Sequence, residues 1–155
     1  MPAIDQIDRR ILTLLQTDAS VSCVQIAAAV GLSQAQCSRR IERVKKDGWI
    51  VGIVALLDRH RLGAGTQLFV RVKVRRKDPA SIAEFSQAIR DLPEVLECHA
   101  LLGSFDFMLR IVVPDFEAYR RFHVEKLNHV PHVCESRCIT SVGEVKYTTF
   151  LPLPG

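Results

Sequence analysis

The stretch SCVQIAAAVGLSQAQCSRRIERVKKDG, residues 22–48, decides the fold of the first third of this chain. Ser22 with Gln25 and Ser33 with Gln36 each fit the S-x-x-Q capping box, in which hydroxyl and amide satisfy reciprocal backbone donors at a helix start. Gly31 lies between the two boxes, where a first helix must stop and the chain must turn sharply. Along the second helix Cys37, Ile41 and Val44 form one stripe at helical spacing, leaving Gln34, Gln36, Ser38, Arg39, Arg40 and Arg43 facing outward. A helix that buries one side and offers Gln, Ser and Arg on the other suits base edges and phosphates. The spacing therefore predicts a helix-turn-helix whose second helix, opening Ser33-Gln34-Ala35-Gln36, reads double-stranded DNA. The plain alternative is a helical hairpin with a solvated basic face.

The charge distribution favours the first reading. A net charge of +4 over 155 residues is mild. Residues 33–47, however, hold five cations (Arg39, Arg40, Arg43, Lys45 and Lys46) against only Glu42 and Asp47. A concentrated patch is the footprint of a small sequence-specific binder. Upstream, Ile4, Ile7, Ile11, Leu14 and Leu15 make an amphipathic stripe, with Asp5 as N-cap and Asp8 three residues on, giving a helix over about 5–16. Downstream, WIVGIVALL (residues 49–57) reads as a strand or small wing, with Trp49 packing it against the helices. LDRHRLGAG (57–65) has no period and two glycines, the composition of a hinge.

The rest has a strand rhythm. Leu68, Val70, Val72 and Val74 alternate with Phe69, Arg71, Lys73 and Arg75. Asp78-Pro79 opens a helix with Ile82, Phe85 and Ile89 inward. Residues 95–102 and 106–113 are apolar runs split by Gly103-Ser104, a hairpin. Asp115 caps a helix carrying Phe116, Tyr119 and Phe122, and an extended stretch covers about 133–147. The order β-α-β-β-α-β is a ferredoxin-like plan, so the fold class is α+β: a winged helix-turn-helix followed by a βαββαβ domain. The expected division is 1–56 for the DNA-binding domain, 57–65 for the linker and 66–155 for the second domain. A sheet rich in Val, Leu and Ile with one bare face predicts a homodimer through that face.

Other classes fit poorly. No apolar run approaches the roughly 20 residues that span a bilayer, and MPAIDQIDRR is not a signal peptide, so no membrane partner is expected. Five cysteines without CxxC spacing suit reduced thiols in a cytoplasm. HVPHVCESRC (129–138) invites a metal or thiol-sensor reading through His129, His132, Cys134 and Cys138. On a strand these ligands would spread over about 20 Å, at roughly 3.3 Å per residue, too far for one site within a chain. Solvated histidines and small buried cysteines are the expectation, Cys37 being core, with no metal and no cofactor. Neither a Ser-His-Asp order, a nucleotide loop nor HExxH is present, so no enzyme is expected.

IDQIDRRILTLLQTDASVS, GLSQAQCSRRIERVKKDGWIVG, LGSFDF and the terminal EVKYTTFLPL together resemble the Lrp/AsnC family of feast/famine regulators, over nearly the whole chain. The KYTT…LP ending and the VALLD linker look most like a cysteine-responsive branch. Siroheme decarboxylases share the two-domain plan, but their histidine-rich motifs are not recognisable here. The resemblance implies a transcriptional regulator of amino-acid metabolism, with dimers that associate further, commonly to octamers. It also implies a small amino-acid effector bound between subunits by a G-x-x-D-[YF] loop, matched by Gly103, Asp106 and Phe107. Ser104, Phe105, Ala100 and Thr140 complete the expected effector set, with Asp106 holding the α-ammonium. Without the resemblance, Asp106 reads as the cap of a tight hairpin. Leu102 stands where relatives often have a small or polar residue. A metabolite-binding protein that keeps a vestigial DNA domain is the competing function.

Overall fold

A computed structural model describes residues 4–153, so the expected domain ends at 1–3 and 154–155 lie outside the described residues. The chain forms two units: one from the N-terminal part up to Leu56 together with residues from Lys146 on, the other Leu57–Val145.

Three helices build the first unit: α1 (Gln6–Thr17), α2 (Cys23–Val30) and α3 (Gln34–Lys46). All three start on complete capping boxes, Asp5 with Asp8, Ser22 with Gln25, and Ser33 with Gln36. Gly31 ends α2 at φ 74°, a left-handed backbone that glycine adopts without a Cβ penalty, and its N–H closes onto the carbonyls of Ala27 and Ala28. Ile11, Ile26, Ala27, Val30 and Cys37 bury one another, with Ile7, Leu14 and Ile41 packed around them. Fully burying such side chains stabilises by roughly 1.5–3 kcal/mol each, so the core fixes α3 against α1 and α2.

The second unit is a four-stranded antiparallel sheet of order β2-β3-β1-β4: β1 (Thr66–Val74), β2 (Val95–Ala100), β3 (Phe107–Val113) and β4 (Val133–Thr140). Helices α4 (Pro79–Arg90) and α5 (Phe116–Glu125) are capped by Asp78 and Asp115. This is the expected βαββαβ order. Leu68, Val70, Val72 and Val74 face a core completed by Leu109, Ile111, Phe85 and Phe107, the two rings 4.4 Å apart.

Three expectations are corrected. Residues 50–58 form no strand, so the wing over 49–57 is absent among the described residues; Val51, Val54, Leu56 and Leu57 lie exposed without a ladder partner, and Trp49 is exposed too. A run with apolar residues on both sides needs a strand to pair with, and the described residues of the chain supply none. The last strand ends at Thr140, and residues 146–153 join the first unit instead of extending the sheet. There Gln16 clasps Leu151 at both its N–H (2.7 Å) and its C=O (3.2 Å). Finally, the bare sheet face is less apolar than expected. Strict alternation sends Val70, Val72, Leu109 and Ile111 under the helices, leaving Phe69, Met108 and Ile139 interleaved with Arg71, Arg110 and Arg137.

Candidate nucleic-acid interface and ligand loop

Ser33 and Gln36 fix the start of α3. The Gln36 backbone N–H donates to the Ser33 hydroxyl at 3.3 Å, and the Gln36 side-chain oxygen accepts from the Ser33 backbone N–H at 3.1 Å. That oxygen is committed to the cap; the Gln36 side-chain NH₂ is left to meet a partner. Gln34, Ala35 and Arg39 are exposed and Ser38 is half-buried. Cys37 is wholly buried, and burial pushes its thiol up to about 11, so it is an inert core residue.

Arg40 and Arg43 do not simply face outward. Arg40 Nη1 donates to Asp5 Oδ2 at 2.7 Å and to Asp8 Oδ1 at 2.8 Å, and Arg43 Nη2 pairs with Asp8 Oδ2. Asp5 is held below the ordinary carboxylate range, first by the Asp8 backbone N–H and then by Arg40. The physical reason for the correction is that Asp8, on the core side of α1, is itself completely buried. A buried carboxylate must find cations or donors, and α3 presents two arginines within reach. A shallow cleft lined by Leu32, Gln36, Arg39, Arg40 and Arg43 runs along this face of α3. Sequence reasoning used Asp8 only as a cap; its i, i+3 relation to Asp5 was visible, its burial against α3 was not.

The loop between β2 and β3 is tied down by Asp106. Its Oδ2 accepts the Val74 N–H at 2.9 Å and its Oδ1 lies 2.5 Å from Lys77 Nζ. The Lys77 ammonium chiefly, and the Val74 N–H after it, hold the carboxyl below the usual carboxylate range. Gly103 has φ 149°, a backbone that side-chain-bearing residues rarely adopt, and Ser104 beside it is exposed. Phe105 is buried, with the guanidinium of Arg71 4.7 Å and that of Arg137 5.4 Å from its ring centre. Phe107 points the other way, into the core against Phe85.

One chain does not gather the expected effector residues. Ala100 and Thr140 lie on the two outer strands, about 14 Å apart across three strand spacings. Through Phe107, Ala100 aligns with Val72, whereas Thr140 pairs with Leu68, a further offset of about 13 Å along the strands. Gly103, Ser104, Phe105 and Asp106 form one loop; Phe107 belongs to the core and Thr140 to the far edge.

The histidine and cysteine run is likewise dispersed, and Cys134 and Cys138, expected as buried, are exposed. His132 Nε2 lies 2.8 Å from Glu84 Oε2, and the Cys134 thiol 3.3 Å from the Lys73 carbonyl at a β-bulge. Cys138 sits beside Tyr119, whose hydroxyl burial pushes upward. Among the described residues no group of three or more such side chains is placed to hold a metal ion, and no helix is long and apolar enough to cross a membrane.

Residues 4–45 match the AsnC-type helix-turn-helix domain, and residues 67–151 match the Lrp/AsnC ligand binding domain. The leucine-responsive regulatory proteins of Escherichia coli K12 and Klebsiella pneumoniae are 38% identical to the chain, the matches covering 96% of it and 90% of each of them. Among solved structures, a transcriptional regulator of Neisseria meningitidis complexed with L-methionine superposes with a TM-score of 0.92 at 31% identity, covering 97% of both chains. An AsnC family regulator from Agrobacterium tumefaciens gives 0.91 at 34% identity, covering 96% of this chain and 97% of that one. None of these singles out a cysteine-responsive branch.

Proposed function

The chain belongs to the Lrp/AsnC family of transcriptional regulators, and from that premise we propose which residues it uses and what it senses. Gln34, Ala35, Gln36 and Ser38 on the first turns of α3 meet base edges, and Arg39 takes a phosphate or guanine. Arg40 and Arg43 are secondary, because Asp5 and Asp8 already hold them. The observation that carries this reading is the α3 face itself. It is capped at its N-terminus, exposed along its polar side and anchored by the buried Cys37 and Val44. Such a helix end fits the major groove with its first residues toward the bases. A footprint on the DNA upstream of the protein's own coding region tests it; folded protein that protects no sequence at moderate salt overturns it.

The effector we propose is a free amino acid. The support is the relatives' leucine response and the L-methionine complex of the neighbour, together with the Gly103–Asp106 loop. Because Ala100 and Thr140 lie at opposite sheet edges, a site using both takes them from different chains. The assembly is therefore a homodimer that associates further. Its strongest support is the exposed run Val51–Leu57, which a second copy can pair with and cover. Residues 57–65, expected as a linker, belong to the second unit, where Arg59 donates to Gln67 at 3.0 Å. The protein acts in the cytoplasm as a regulator and not as an enzyme. A thermal-shift screen of the twenty amino acids tests the effector class, and no shift with any of them overturns it.

A further inference from the structure

We propose that Asp8, a residue outside the reading helix, sets how much of that helix's charge reaches DNA, and so governs the ratio of specific to non-specific binding. The inference rests on the DNA-reading function proposed above. A helix start needs only an exposed acceptor three residues after the cap. Asp8 is instead 0% exposed, and its two oxygens receive the Asp5 N–H at 3.1 Å, Arg40 at 2.8 Å and Arg43. Of the five cations on residues 33–47, two are thus drawn to α1. Arg39, Lys45 and Lys46 have no carboxylate partner among the described residues.

The withdrawal is graded. Arg40, shared between Asp5 and Asp8, is 27% exposed, while Arg43 keeps 49% of its side chain in solvent. Contacts to phosphate strengthen binding to every sequence alike, whereas base contacts carry the discrimination. A long arginine released from Asp8 is free to swing toward the nearest phosphate. Holding both against Asp8 keeps the sequence-independent part of the affinity low. Asp8 is therefore a positioning residue acting through Arg40 and Arg43.

The test uses the full-length protein and its Asp8→Asn variant, which keeps side-chain size and a cap acceptor while losing the charge. Binding to the protein's own upstream duplex and to a random-sequence duplex is measured between 50 and 200 mM salt, as a titration range chosen on the order of the physiological one. The variant is expected to bind the random duplex several-fold more tightly at low salt, with a slope of log affinity against log salt steeper by about 0.9 for each arginine released. Adding Arg40→Gln and Arg43→Gln should restore the wild-type slope. Should Asp8→Asn not melt cooperatively, the exposed Asp5→Asn, which loosens Arg40 alone, should show a smaller change of the same sign. A folded variant with unchanged slope, or one that weakens on both duplexes alike, overturns the inference and leaves the DNA-reading function standing. Wild-type protein that binds neither duplex overturns both.

Discussion

The Asp106 carboxylate lies 2.5 Å from the Lys77 ammonium and accepts the Val74 N–H, so the acid of the ligand loop is already paired within its own chain. An arriving α-ammonium must share it with Lys77 or replace Lys77. Asp106 therefore has a structural role before any sensing role. Asp106→Ala should lower the melting temperature with no effector present, by about 1–3 kcal/mol of stability, because the Val74 N–H loses its acceptor. A variant that melts like wild type would free Asp106 of that role. Effector shifts in the variant must be read against this lowered baseline.

The same pair sets a pH dependence. Lys77 chiefly, and the Val74 N–H after it, depress the folded pKa of Asp106 below the ordinary value of 3.8. Asp78 is lowered to about 2, first by the Ser81 backbone N–H and then by the Ser81 hydroxyl. A depressed carboxylate contributes stability that is present above its unfolded pKa and lost as pH falls through the folded one. Wild-type stability should thus fall as pH drops from about 4 toward 2, through the window these two groups span. Asp106→Asn and Asp78→Asn should each flatten that fall in melts taken across the range. Parallel pH profiles for wild type and both variants would contradict the assignment.

Gly103 at φ 149° and Gly52, whose backbone is not left-handed, make a matched pair, since an added Cβ meets nothing within 4 Å at either. Gly103→Ala should destabilise by about 1–3 kcal/mol through backbone strain alone. Gly52→Ala should be neutral or stabilising by up to about 1 kcal/mol, by restricting the unfolded chain. Denaturant melts of the two decide it. Equal effects would mean that strain at Gly103 is not what requires glycine there.

Much of this was legible in the sequence, for reasons tied to particular residues. Caps are local, so Asp5, Ser22, Ser33, Asp78 and Asp115 mark all five helix starts where they occur. The alternation Leu68-Val70-Val72-Val74 names the helix-covered face of β1 because the strand period is two. What escaped depends on partners far along the chain. Arg40 reads as outward from helical spacing, and only the packing of α1 shows Asp8 waiting for it. WIVGIVALL has the composition of a strand, but a strand also needs a ladder partner, which no local pattern supplies. Phe107 fits a ligand motif by its position, yet its parity in β3 places it against Phe85.

Gln36 carries two duties that a pair of substitutions can separate. Its side-chain oxygen closes the capping box on the Ser33 N–H, and its NH₂ is left for a base. Gln36→Glu keeps an acceptor for the cap, and a negative charge at a helix N-terminus is favourable. It removes the donor and brings that charge toward DNA. This variant should therefore melt within about 0.5 kcal/mol of wild type yet bind its specific duplex roughly five- to 150-fold more weakly, the loss expected for one base contact worth about 1–3 kcal/mol. Ser33→Ala should do the reverse, costing about 0.5–2 kcal/mol of stability through the lost cap while leaving sequence preference intact. Melting and duplex titrations of both variants give four numbers, and their crossed pattern is the prediction. If Gln36→Glu binds as wild type does, Gln36 serves only the cap, and base reading passes to Gln34, Ser38 and Arg39.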